Sequence, residues 1–150
     1  MTSSDSLRWL APMACVLLLT GCLLSNSFDA SYDTLTAARQ ARAVESGWIP
    51  DWAPQSAVAL REAHNVDNNA SMLAFALPGD VTVPLPDGCL PATYAETLPG
   101  PFKRDWWPQP EVLAAQYSFF TCPSLHTGFE FVGMRHDGRH MLHWRTYASH

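Results

Sequence analysis

His64-Asn65-Val66-Asp67-Asn68-Asn69 is the polar cluster of this sequence with the most chemistry to offer. An imidazole oriented by a carboxylate makes a general base, so His64 would be the base and Asp67 its orienter in a small hydrolase. The same residues also suit a plain turn, because Asn and Asp side chains bond to nearby backbone and end helices. We take the turn as the first reading. A calcium loop would need alternating carboxylates, a glycine and a distant glutamate, of which only fragments are present. His126, His136, His140 and His143 cluster later in the chain. A hairpin register separates them, as shown below, so no metal site is expected. No serine lies in Gly-x-Ser-x-Gly and no glycine-rich phosphate loop occurs. No cofactor motif is present, and no catalytic residue is singled out. Trp48, Trp52, Trp106 and Trp107 stand in proline-rich segments. There they either staple loops onto a small core or anchor a partner. Trp48, His64, Asp67 and Asn69 form the candidate binding patch.

Leu19-Thr20-Gly21-Cys22 follows an apolar run from Trp9, broken only at Pro12, with Arg8 before it. That run is about half of what a bilayer-crossing helix needs, and small residues precede the cysteine, as a leader peptidase requires. The four residues resemble the lipobox of bacterial lipoproteins. By that resemblance residues 1–21 are a cleaved signal peptide and Cys22 carries the lipid. Leu23 after the cysteine implies an outer-membrane lipoprotein facing the periplasm. The expected partner is the membrane, through Cys22, together with another envelope protein or peptidoglycan. A formal charge of −5 and the lack of any basic run argue against nucleic acid. Cys89 and Cys122 are an even pair in an exported domain, which suggests a disulfide. Closing that loop would contribute about 3–4 kcal/mol in the chain-entropy model.

These residues need elements to position them. Residues 22–30 read as the lipidated cysteine and a tether, and residues 31–150 as one α+β domain. A first helix is expected over Tyr32–Ser46, capped by Ser31 or Asp33 and rich in Ala and Arg. Gly47 would take the left-handed position past its end, and Trp48 would fold back on the last turn. A second helix is expected over Ser56–His64, with Leu60 and His64 on one side and Glu62 elsewhere. Met72–Leu77 and Gln116–Cys122 read as strands, with a helical turn over Glu111–Ala115. Asp137-Gly138 is a hairpin signal. With those two residues as the loop, Phe129 faces Thr146, Phe131 faces Trp144 and Gly133 faces Leu142 on one side. Glu130 faces Arg145 on the other, as an opposite-charge pair. His136 and His143 then lie about 13 Å apart, and His140 points to the opposite face. The expectation is two N-terminal helices packed on an antiparallel sheet of about four strands ending in a C-terminal hairpin.

Gly47-Trp48-Ile49-Pro50, then Pro54, Ser56-Ala57 and His64–Asn69, resemble a motif of uncharacterised small bacterial lipoproteins. That motif runs G-W-[IL]-P, then P-x-S-A, then H-[DN]-[LIV]-D-T-N, and Asn68 stands where it has Thr. Trp106-Trp107-Pro108 and a cysteine-bearing strand before a hairpin are similar too. The resemblance spans most of the chain after Cys22. It implies a lipid-anchored bacterial envelope domain and brings no activity with it. The first functional reading is a non-enzymatic interaction or accessory module. The alternatives are the hydrolase using His64 and Asp67, and an immunity or inhibitor-type lipoprotein.

Overall fold

The computed structural model describes residues 26–79, 81–125 and 127–147. Residues 1–21, read above as a leader, and Cys22, His126 and His150 lie outside the described residues. The chain forms β1 (Ser27–Thr34), α1 (Leu35–Gln40), β2 (Val58–Asn65), β3 (Ser71–Ala76), β4 (Leu90–Ala92), a 3-10 turn (Tyr94–Glu96), α2 (Pro110–Gln116), β5 (Tyr117–Cys122), β6 (Phe129–Arg135) and β7 (His140–Thr146). The strands make one seven-stranded sheet in the order β1-β2-β3-β7-β6-β5-β4, and every neighbouring pair is antiparallel.

This overturns the expected fold. The sheet has seven strands rather than about four, and of the two expected N-terminal helices only the short α1 forms. Residues 56–64, expected as a helix, contain most of β2, the second strand in from the edge. Their Ala, Leu, Arg and Glu favour a helix only weakly, and pairing on both sides decides the outcome. Glu62 pairs with Ala30 on one side and Leu73 on the other. Of the first expected helix only Leu35–Gln40 is α-helical, and its cap is Thr34, whose Oγ1 accepts from the Ala37 N–H at 3.2 Å. Tyr32 pairs with Leu60 in the sheet instead. The supposed tether is shorter than expected as well, since residues 27–30 pair with residues 62–65.

The ending at Gly47 is as the sequence predicts, although turns rather than helix lead into it. Gly47 has φ +76°, a conformation that favours glycine. Its N–H bonds to Val44 O and the Trp48 N–H bonds to Ala43 O, both at 3.0 Å. Those two bonds are the Schellman pattern. The C-terminal hairpin also has the predicted register, with Phe129 opposite Thr146, Phe131 opposite Trp144 and Gly133 opposite Leu142.

Both faces of the sheet are covered. Alternation in the strands sends Leu73, Phe75, Val132 and Met141 to one face, where Leu35, Ala38, Ile49 and Ala53 close over them. It sends Met72, Phe119, Phe131, Leu142 and Trp144 to the other, beneath Tyr94, Leu98, Phe102, Trp106 and Trp107. The tryptophan- and proline-rich segments are thus the lids of a sheet with little helix to cover it. A disulfide joins Cys89 to Cys122. It fixes the three-residue edge strand β4 to the end of β5.

Candidate functional site

In a strand, residues two apart share a face. Glu62 and His64 of β2 therefore project together toward the lid formed by residues 41–57. The Glu62 side chain is 2% exposed, and its Oε2 lies 2.9 Å from Nδ1 of His64, itself 13% exposed. The Trp48 ring stacks on His64 at 3.9 Å between centroids and 10° between planes. Phe28, opposite His64 on β1, is a second near-parallel neighbour at 5.7 Å. The structure thus brings Trp48 and His64 into direct contact. Asp67 and Asn69 lie in the exposed turn just beyond them. The carboxylate that meets the imidazole is Glu62, not Asp67; Asp67 accepts from the Asn26 side-chain amide. Asn65 Oδ1 accepts from the Asp67 N–H at 2.8 Å, and Asn69 adopts φ +57°. That is turn chemistry.

Burial pushes the Glu62 carboxyl above its ordinary value; the hydrogen bond and charge of His64 pull it partly back. A carboxyl whose pKa is raised by folding adds stability that is complete below its unfolded pKa. That stability is lost as the pH rises through the folded value. Above its folded value the ionised Glu62 is therefore a burden on the fold. Glu62→Gln keeps an acceptor for His64 and removes the buried charge. It should raise stability at pH 8 by about 1 kcal/mol, with the gain vanishing below about pH 4. Urea unfolding of both proteins across that range measures it.

A second histidine–glutamate pair lies on the same face, across β3. His143 is 2% exposed; its Nε2 is 2.9 Å from Oε1 of Glu130, and its Nδ1 is buried without a hydrogen-bond partner. Trp52 meets the ring edge-on at 5.7 Å. Glu130 faces Arg145 across the hairpin as expected, but the ion pair expected between them does not form. Arg145 instead gives Nε to Ser71 Oγ at 3.1 Å and Nη2 to Gly47 O at 2.6 Å. The arginine therefore straps the Gly47–Trp48 corner to the sheet. His143, Glu130 and Arg145 line a cleft of about 480 Å³ with Trp52, Asp51 and Asp87. His140 points to the other face, as the register requires, and its Nδ1 lies 2.7 Å from the Tyr117 hydroxyl. Burial there pushes its pKa down.

The other lid leaves an aromatic cleft of about 530 Å³, lined by Tyr94, Phe102, Trp107, Leu113 and Trp144 with Lys103 and Asp105 among the polar residues. Trp107 meets Trp144 edge-on at 5.6 Å. Trp144 Nε1 donates to Leu98 O at 2.9 Å, which fixes the wall formed by the proline-rich segment. Arg104 anchors the same segment to β1 through Asp29, at 2.5 and 2.8 Å. Apolar concavity with a few polar groups at the rim is the usual form of a ligand site.

Sequence reasoning missed Glu62 as the partner of His64, and it paired Glu130 with Arg145 where the structure gives Glu130 to His143 and Arg145 to Ser71 and Gly47. A usable signal existed for the first: reading residues 58–65 as a strand puts Glu62 beside His64. His64, His140 and His143 are held structurally, each with a carboxylate or a hydroxyl at one nitrogen, and the cleft on the other face is mainly aromatic.

Residues 26–76 match the family model of the YbbD head domain. The match covers β1, α1, β2 and β3 and includes Trp48, Glu62 and His64. It leaves the aromatic cleft and the disulfide outside. No curated protein and no solved structure matches the chain.

Proposed function

We propose that this chain is a lipid-anchored domain of the bacterial envelope and that it works by binding. The anchoring rests on Leu19-Thr20-Gly21-Cys22 at the end of the apolar run. The folded domain opens directly behind it, with β1 starting at Ser27. The YbbD head match over residues 26–76 supports a bacterial, envelope-associated setting. The binding role is supported by the aromatic cleft, whose partly exposed Tyr94, Phe102 and Trp107 suit a ring-stacking or proline-rich ligand of the wall or of another envelope protein. The outer membrane, periplasmic side, is the proposed location.

Replacing the acyl acceptor tests this. Membranes of the native host should retain the parent chain, with an amino-terminal peptide beginning at Cys22 and carrying diacylglycerol mass. Cys22→Ser should carry no acyl mass and should keep residues 1–21, because the cut depends on the modified cysteine. A parent chain found soluble, with Met1 present and a bare Cys22 thiol, would overturn the proposal.

A further inference from the structure

One end of the sheet collects apolar side chains that the described residues leave about half exposed or more. Antiparallel pairing puts Ser27, Asn65, Thr146 and Phe129 at that end. Phe28 lies one position in from it, and Val66 lies just beyond β2. Phe28 is 51%, Val66 52% and Phe129 45% exposed. Leu125, in the connection from β5 to β6 at the same end, is almost wholly exposed. From β1 to β6 this row spans four strand spacings, about 19 Å.

The first described residue, Asn26, enters the sheet at this end. Cys22 lies four residues before it, which is about 14 Å of chain at full extension. An acyl group on Cys22 therefore holds this end, and not the opposite one, against the bilayer. We infer that the end carrying Phe28, Val66 and Phe129 rests on the lipid leaflet that holds the anchor; this rests on the lipid-anchored reading above. Aromatic rings at that depth suit the headgroup boundary, and half-buried Trp48 stacks on His64, the ring that Phe28 also neighbours.

The charges at this end set the kind of lipid contact. Asp67 is exposed there, while Arg145 is committed to Ser71 and Gly47 and Arg104 to Asp29. A basic cluster reading anionic headgroups is therefore not what this end offers. Apolar contact carries the interaction, and zwitterionic lipid should serve as well as anionic lipid.

Hydrogen exchange tests the inference on the full lipidated chain. The protein is reconstituted into phosphatidylcholine vesicles and, in parallel, into phosphatidylethanolamine–phosphatidylglycerol vesicles. The Cys22→Ser chain in solution is the reference, and the mass of the Cys22 peptide is read in each sample. Amides of the 66–70 turn and of residues 127–129 should exchange at least about fivefold more slowly on both vesicles than in solution. Val66→Ser and Phe129→Ser, measured singly and with unchanged thermal midpoints, should restore solution rates while the chain stays attached. An acylated Cys22 with unchanged exchange would overturn this inference alone. So would protection seen in native membranes but not on pure lipid, which would assign this end to a protein partner. A bare Cys22 would overturn the anchoring and this inference together.

Discussion

Trp144→Ala should cost the domain about 3–5 kcal/mol, the cost of truncating a large buried aromatic. Trp144 is 2% exposed and touches three aromatic neighbours, Phe131 at 5.2 Å, Trp107 at 5.6 Å and Phe119 at 6.2 Å. Truncation opens a cavity at the centre of one sheet face, loses those ring contacts and leaves the Leu98 carbonyl without its donor. At this chain length the thermal midpoint should fall by about 10 °C or more. Trp144→Phe separates the terms, because it keeps most of the packing and removes the Nε1 donor. It should cost about 1–3 kcal/mol. Because Trp144 also floors the aromatic cleft, the alanine variant should lose that cleft's shape even where it still folds. Calorimetry of the two variants against the parent measures both costs.

Breaking the Cys89–Cys122 disulfide is the second large effect. The bond closes a sequence separation of 33, worth about 3–4 kcal/mol of unfolded-state entropy. Cys89→Ser with Cys122→Ser should lose that amount in urea unfolding. The same protein should also loosen locally, because β4 pairs through only Leu90, Pro91 and Ala92. Pro91 has no N–H to offer the ladder. Faster exchange across residues 89–92, with β6 and β7 unchanged, is the expected local signature. A double variant as stable as the parent would show that β4 holds its place without the bond.

The hairpin, the Gly47 corner and the disulfide pair were legible because each is specified by residues close in sequence or by simple parity. Asp137-Gly138 sets the register of β6 on β7. Gly47 and Trp48 set the ending of the turns before them. β1 and β2 were illegible for a physical reason. Ser-Ala-Val-Ala-Leu-Arg-Glu-Ala-His carries helix-tolerant residues and is turned into a strand by partners at Ser27–Thr34 and Ser71–Ala76. The buried Glu62 worsened the reading, since a carboxylate is among the last side chains expected inside a sheet. The site followed the same division. Trp48 and His64 stood out by type and motif and do meet. The carboxylate beneath them follows only once residues 58–65 are read as a strand, and the His143–Glu130 pair is a diagonal contact inside the hairpin that the directly facing pairs do not single out.

The placement of β1 has a mechanical consequence. It enters the sheet at Asn26, runs away from that end, and lies along β2 over seven paired positions from Ser27 to Thr34. A tug arriving through residue 26 therefore pulls β1 lengthwise past its neighbour. The backbone bonds along that seam share the load together instead of opening one after another like a zip. An outermost strand, the weakest place in a sheet under peeling, is in this orientation a strong point of attachment.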